Sequence, residues 1–455
     1  MVAFWFTVTM PASGIIRLLF LVVSVYFIIT LFWGKYNLFR DPFHPYAAYR
    51  SVLLLSMVFQ IPIHATSRTG FSEETYIFIL LTVLFFGLFS DAAAFLMSRY
   101  MPIRDSLSLG PSRSVATYFF LIYLLGWLWR SYALSAGLLY GTFLATKLEV
   151  TTYSNFLGQL NQLSLVSLFG YSVFSDIRRS TRLVHLMALG EVVWMMIAGS
   201  KAAIIYVVLP LLLIYFHRRS FRINGRFLFA ILILVVAVFV TFSYMQNYRL
   251  QVQRLYSQRG HFSFDLLVDA TNITTESGVS VMDVGDNAVT TLMKRLDWAG
   301  FYGKLLERPD LLQDKWYGKS YLPIFFWWIP RFAWPNKPAV SVGAWYGREV
   351  LGWSFDSRSE GAITLWGDAA MNFGMLGVIT ISLAWVLFTF LFYHLGLRSG
   401  EWGLLFLASV YVRLLLGLEQ NAAAPLVSVQ QTALVIGSLY AGARLFTLLY
   451  KRALV

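Results

Sequence analysis

From position 14 onward the chain alternates long apolar runs with short polar or basic breaks. The runs cover 14–33, 49–64, 75–97, 115–135, 158–175, 183–199, 202–216, 227–245, 370–393, 402–418 and 431–449. About 20 mostly apolar residues wound as a helix cross the hydrocarbon of a bilayer, and a helix closes its backbone hydrogen bonds on itself, as lipid demands. The pattern predicts an all-α fold, a polytopic transmembrane helix bundle of about eleven spans. It forms a single integral membrane domain over 1–455. One interruption is of another kind: residues 247–361 form a long loop before the last three spans. The first run continues through Trp33 without a small-residue cleavage site and reads as a retained span. The stretch from Ser131 to Tyr153, with several Gly and Ala, fits either an interfacial or a re-entrant helix.

Charge sets the expected orientation. One alternate set of breaks carries Lys35, Arg40 and Arg50, then Arg99, Arg104 and Arg113, then Arg178, Arg179 and Arg182, then Arg218, Arg219, Arg222 and Arg226. Lys and Arg concentrate in cytoplasmic loops, so these breaks and the C-terminal Lys451 and Arg452 are expected inside, with the N-terminus outside. The opposite breaks are nearly free of base: Arg68 sits beside Glu73 and Glu74, Lys201 stands in a tight turn, and 419–431 has no Lys or Arg. The 247–361 loop therefore belongs to the extracytoplasmic side. Composition agrees with lipid: 58% of residues are hydrophobic, 13% are charged and the mean hydropathy is +0.63. The formal charge of +13 resides largely in short loops, which makes it a topology signal and removes the case for nucleic acid. With no Cys, disulfides, thiolate nucleophiles and thiolate metal sites are excluded.

A loop of this length points to a lid or small domain. It divides in two. Residues 251–289 are polar and rich in Ser, Thr and Asp, whereas 298–353 are crowded with aromatics, Gly and Pro. Pro323, Trp327, Trp328, Pro330, Trp334, Pro335 and Pro338 disfavour a long helix and suit a rigid irregular surface.

Within that second half, Trp327 to Pro338 places Arg331 and Lys337 among tryptophans and prolines. Aromatic faces stack on sugars and cations, Arg offers a planar fork to phosphate oxygens, and Lys adds a point charge. Together they suit a phosphorylated, sugar-bearing lipid; an interfacial aromatic belt with snorkelling cations accounts for the same residues. Further on come Arg348, Glu349, Arg358, Glu360 and Asp368. Asp368 and Asn372 stand four apart and share a helix face, where the carboxylate fits either an acceptor-hydroxyl base or a plain helix-start polar residue. Glu349 and Glu360 are equal candidates for that base. Inside the spans, Arg17 and Asp91 lie near ends where they can snorkel, while Glu191, on a helix with His185, and Arg413 are deeper. A buried structural ion pair and a functional role are both open for Glu191 and Arg413. The six His residues lack ligand spacing, and there is no Walker A or G-x-G-x-x-G unit, so neither metal, cofactor nor ATP-driven transport is expected.

The layout and local motifs resemble the bacterial O-antigen polymerases (Wzy type), the oligosaccharide repeat-unit polymerases. Ile329-Pro330-Arg331-Phe332-Ala333-Trp334-Pro335-Asn336-Lys337-Pro338 is similar to an I-P-x-x-x-W-P-x-[KR]-P stretch of the family's large loop, closest to the enterobacterial common antigen branch. Arg348 to Leu351, then Ala362 to Asp368 and Asn372 to Val378, resemble the loop's exit into a Gly-rich span. Gly199-Ser200-Lys201-Ala202 resembles a short G-x-R-[AG] turn, with Lys in place of the usual Arg.

The resemblance implies the glycosyltransferase fold shared with O-antigen ligases and SEDS-type polymerases. It also implies a bacterial inner-membrane enzyme with a periplasmic loop. Such an enzyme takes undecaprenyl-diphosphate-linked oligosaccharides as donor and acceptor, acts without metal, and works beside a chain-length regulator and a flippase. On that reading Lys201, Arg331, Lys337, Arg348 and Arg413 bind diphosphate, Trp334 and Trp345 hold sugars, and Glu349, Glu360, Asp368 or Glu191 takes the acceptor proton. An O-antigen ligase and a flippase-type transporter are the rival classes, the latter usually marked by broken helices near the midplane.

Overall fold

The computed structural model describes residues 12–66, 70–102, 112–135, 152–197, 203–219, 244, 247–248, 251–252, 254–259, 264–276, 296–329, 334, 336–338, 340–353 and 361–453. Regular structure among them is entirely helical. In chain order the helices used below are α1 (Gly14–Trp33), α2 (Pro45–Leu53), α3 (Gln60–Thr66), α4 (Glu73–Tyr100), α5 (Arg113–Ser135), α6 (Thr152–Phe174), α7 (Ile177–Ile197) and α8 (Ala203–Arg219). There follow α9 (Phe264–Glu276), α10 (Trp298–Leu306), α11 (Pro309–Gln313), α12 (Pro323–Phe326), α13 (Gly343–Glu349), α14 (Leu365–Arg398), α15 (Gly400–Leu416) and α16 (Ala423–Ala453). Six segments among the described residues are long and apolar enough to cross a membrane: α1, Pro45–Thr66, α4, α14, Gly400–Glu419 and Ala423–Tyr450. The expected spans 115–135, 158–175, 183–199 and 202–216 coincide with α5 to α8 over their described residues, and 227–245 lies outside the described residues except for Tyr244.

Two of these helices carry a break with a physical cause. Between α2 and α3, Leu54–Val58 form a π-helical turn in which the Phe59 amide reaches back to Leu54 O. Pro62 follows one turn later, and its ring lacks a donor and crowds the carbonyl of Val58, so the ladder slips by one residue ahead of it. In α14 the break is at Gly374, whose φ of 64° and ψ of −150° suit only glycine. The bend brings Gly377 against the short leg, where an added Cβ would stand 2.8 Å from Phe373 Cβ.

The chain forms two compact units. The first comprises Met1–Asp105, Met293–Arg398 and Arg413–Gln431. Phe20, Phe27, Tyr49, Phe86, Tyr302 and Trp366 fill its interior. Arg50 is buried there against the Tyr46 ring at 3.7 Å, with Nη2 on Asp91 Oδ1 at 2.7 Å and Nε on Thr30 Oγ1 at 2.7 Å. Asp91, placed by sequence near a span end where acids snorkel, is thus salt-bridged. The aromatic half of the long loop belongs to this unit as short helices α10 to α13, with the prolines Pro309 and Pro323 opening α11 and α12.

The second unit comprises Ser106–Leu292, Ser399–Val412 and Thr432–Val455. Helices α5 and α6 pack closely, with Phe119, Phe174, Trp402 and Tyr440 in ring contact around them. The polar half of the long loop contributes α9, whose Leu266, Ala270 and Thr274 recur every four residues on its buried face. Leu266 and Ala270 pack with Tyr248, Val252 and Leu255. The division at Leu292 and Met293 falls between the polar and aromatic halves read from the sequence.

Candidate functional site

In the first unit the break at Gly374 creates the site. It leaves the carbonyls ending the short leg of α14 without helical donors. Loop amides take their place: Trp316 N donates to Met371 O at 3.0 Å and Tyr317 N to Asn372 O at 3.2 Å. The other end of the leg is held by Thr364, in the left-handed region with φ of 64°. Its Oγ1 accepts from Gly367 N at 3.1 Å and its own amide donates to Glu419 O at 3.1 Å. Thr364 and Tyr317 are the described non-glycine residues with positive φ, so backbone strain gathers around this leg.

Between those ends lie Asp368 and Asn372, both fully buried. Asn372 Nδ2 donates to Ser320 Oγ at 2.7 Å, to Asp368 O at 2.8 Å and to Asp368 Oδ1 at 3.2 Å, while its Oδ1 accepts from Gly318 N at 2.9 Å. Asp368 Oδ2 accepts from Ala422 N at 3.2 Å. The Tyr321 hydroxyl stands beside the pair; burial pushes its phenol up, and the Asp368 charge adds to that. One carboxylate therefore ties the loop turn 316–321 and the segment before α16 to the short leg.

An oily groove of about 400 Å³ adjoins this polar platform. Tyr321 and Ala422 line it on the platform side, and Trp385, Phe388, Leu426 and Gln430 continue it along α14 and α16. Tyr321 Oη, Trp385 Nε1 and Gln430 Oε1 are buried here without a well-aligned hydrogen bond among the described residues.

The other residues expected from sequence are distributed as follows. Lys337 Nζ donates to Trp327 O at 2.7 Å and Ile329 O at 2.9 Å, so its ammonium braces its own loop. Trp334 meets Phe326 edge-on at 5.5 Å, and Trp345 meets Trp316 edge-on at 4.6 Å. Arg348 and Glu349 end α13; the Glu349 side chain is exposed, and its carbonyl accepts from Arg308 Nη1 at 2.9 Å. Arg413 is partly buried on α15. Lys201, Arg331 and Glu360 lie outside the described residues. Glu191 belongs to the second unit, where Arg130 holds it from both nitrogens at 2.7 and 3.0 Å, both side chains being almost wholly enclosed. It is an ion pair inside a helix bundle.

Sequence reasoning missed several partners. Ser320, Gly318 and the Ala422 amide complete the Asp368 platform from about 50 residues away in sequence, where local pattern is silent. Glu307 was also missed: its carboxylate accepts from Ser72 N at 2.9 Å and Ser72 Oγ at 2.8 Å. Partial burial raises its pKa, but hydrogen bonds from Thr75 and Ser72 outweigh that and hold it below the usual range. His64 Nε2 meets Asp297 Oδ1 at 2.7 Å, and the same oxygen caps α10 at Gly300 N. Compared with known proteins, the chain matches no family model, no curated protein and no solved structure.

Proposed function

We propose that this protein is an inner-membrane glycosyltransferase that polymerises undecaprenyl-diphosphate-linked repeat units at the outer face, in a bundle of about eleven spans. The observation that carries the reading is the oily groove joined to a buried polar platform and bordered by Tyr321 and Ile324 of the aromatic loop. A donor with an apolar chain and a charged, sugar-bearing head asks for those three surfaces side by side. The polyprenyl chain lies along Trp385, Phe388 and Leu426, and the diphosphate faces the loop.

In the reaction the anomeric C–O bond to diphosphate breaks, a new C–O bond forms to the acceptor hydroxyl, and the hydroxyl proton passes to a carboxylate. Arg331 and Arg348 supply cationic stabilisation to the departing diphosphate. Lys337, committed to Trp327 O and Ile329 O, holds the loop's shape. Asp368 is enclosed and already engaged, which suits a positioning residue; Glu349 and Glu360 are the acids left for the proton. Trp334 and Trp345 serve as sugar platforms.

A groove-filling Leu426→Trp and a charge-removing Arg348→Gln are each expected to abolish polymer beyond one repeat in cells while the protein remains in the membrane at normal level. Full-length ladders in both variants would refute the reading, and loss of ligation alone would transfer it to the ligase class. One observation favours a second reading. The helix broken at Gly374 beside a buried Asp–Asn pair is a feature of transporters, so a flippase-type carrier of the same lipid class is the alternative.

A further inference from the structure

The second unit contains a cavity that the glycosyl-transfer reading does not use. It measures about 310 Å³ and opens between α6, α7 and α8. Val184, Ala188 and Leu211 form an apolar floor, and Thr181, His185 and Tyr215 give it a polar rim. Two cations stand at that rim. Arg218 Nη1 donates to Ser172 O at 2.7 Å and to Ser175 O at 3.0 Å, and Ser172 itself lines the cavity. Arg182 is exposed one turn before His185, so the two share a helix face. In sequence, the stretches 176–182 and 218–219 that flank these helices carry Arg178, Arg179, Arg182, Arg218 and Arg219 and one acid, Asp176. On the same helix Leu186 and Leu189 are 65% and 60% exposed, as befits a lipid-facing surface.

We infer that this cavity binds an anionic phospholipid, with one acyl chain on the Val184, Ala188 and Leu211 floor and the phosphate at the Arg182 and Arg218 rim. Charge complementarity selects the occupant. A neutral lipid gains the floor alone, free phosphate gains the rim alone, and only an anionic phospholipid gains both. Basic pockets between membrane helices take acidic headgroups by this combination.

The test is native mass spectrometry of the full chain purified in detergent, titrated separately with phosphatidylglycerol, phosphatidylethanolamine of the same chains, and inorganic phosphate. Phosphatidylglycerol is expected to form a discrete adduct about fivefold tighter than phosphatidylethanolamine, the share of one surface cation. Phosphate should neither bind nor displace it. Ala188→Phe, which fills the floor, and Arg182→Gln, which alters only an exposed side chain and so leaves folding intact, should each lower the adduct. Equal binding of the two lipids, displacement by phosphate, or an unchanged adduct in Arg182→Gln would overturn the inference.

Discussion

Asp368→Ala removes the two oxygens that join three segments of the first unit. The Ala422 amide loses its acceptor in a buried position, while Asn372 keeps Ser320 Oγ and the backbone carbonyl at 368. One orphaned buried donor costs about 1–3 kcal/mol, and the acceptor is a carboxylate, which places the loss toward the top of that range. Asp368→Asn gives little relief, because one face of its amide always turns an N–H toward the Ala422 amide or the Asn372 Nδ2. The assay is the unfolding midpoint of detergent-purified protein, combined with Asn372→Ala in a double-mutant cycle. Direct contact predicts a coupling of about 0.5–3 kcal/mol between the two sites. Purely additive losses, or an Asp368→Ala protein as stable as the parent, would refute the platform as described.

The other expectations concern sites away from that carboxylate. Arg130→Met should destabilise by about 3–5 kcal/mol by stranding Glu191, and Arg130→Met with Glu191→Met should recover most of it; a double variant no better than the single one argues for a role beyond the ion pair. Asp41, between α1 and α2, has its pKa raised by burial from 3.8 to about 6 despite hydrogen bonds from Tyr393, Phe43 and His44. The native state thus holds the Asp41 proton more tightly than the unfolded chain, so this group costs nothing below about pH 4, an increasing amount up to about pH 6, and a constant amount above. Asp41→Asn should therefore gain up to about 3 kcal/mol at pH 8 and nothing near pH 3, read from midpoints across pH. Lys337→Met should leave the Trp327 and Ile329 carbonyls without their brace, costing about 1 kcal/mol or more and speeding proteolysis within 327–338, whereas unchanged cleavage would return Lys337 to the diphosphate.

Helix content was legible because the length of an apolar run is a local property, and the expected runs that are described all fall on helices. The division of the long loop was legible for a similar reason, since a polar stretch and an aromatic one cannot share one interior. Asp368 and Asn372 were readable as neighbours from their spacing of four, but their loop partners were not. Gly374 was visible only as part of a Gly-rich run; its positive φ frees the carbonyls before it for the loop amides, and those amides come from distant sequence. Arg130 lay inside an expected span and met the criterion that singled out Glu191, yet at the end of a run a cation ordinarily snorkels, and the pairing is a tertiary fact. Lys337 was expected on a phosphate. In the structure its ammonium instead caps the Trp327 and Ile329 carbonyls of its own loop, a contact that local sequence does not announce.

Reconstitution of the purified protein with a single lipid-linked repeat unit in liposomes tests the proposed activity most directly. Polymerisation predicts a ladder of polyprenyl-linked products on a gel from this protein alone, persisting in chelator and lost in Arg348→Gln. Substrate that crosses the bilayer with its length unchanged would contradict that account and assign the broken helix at Gly374 to transport.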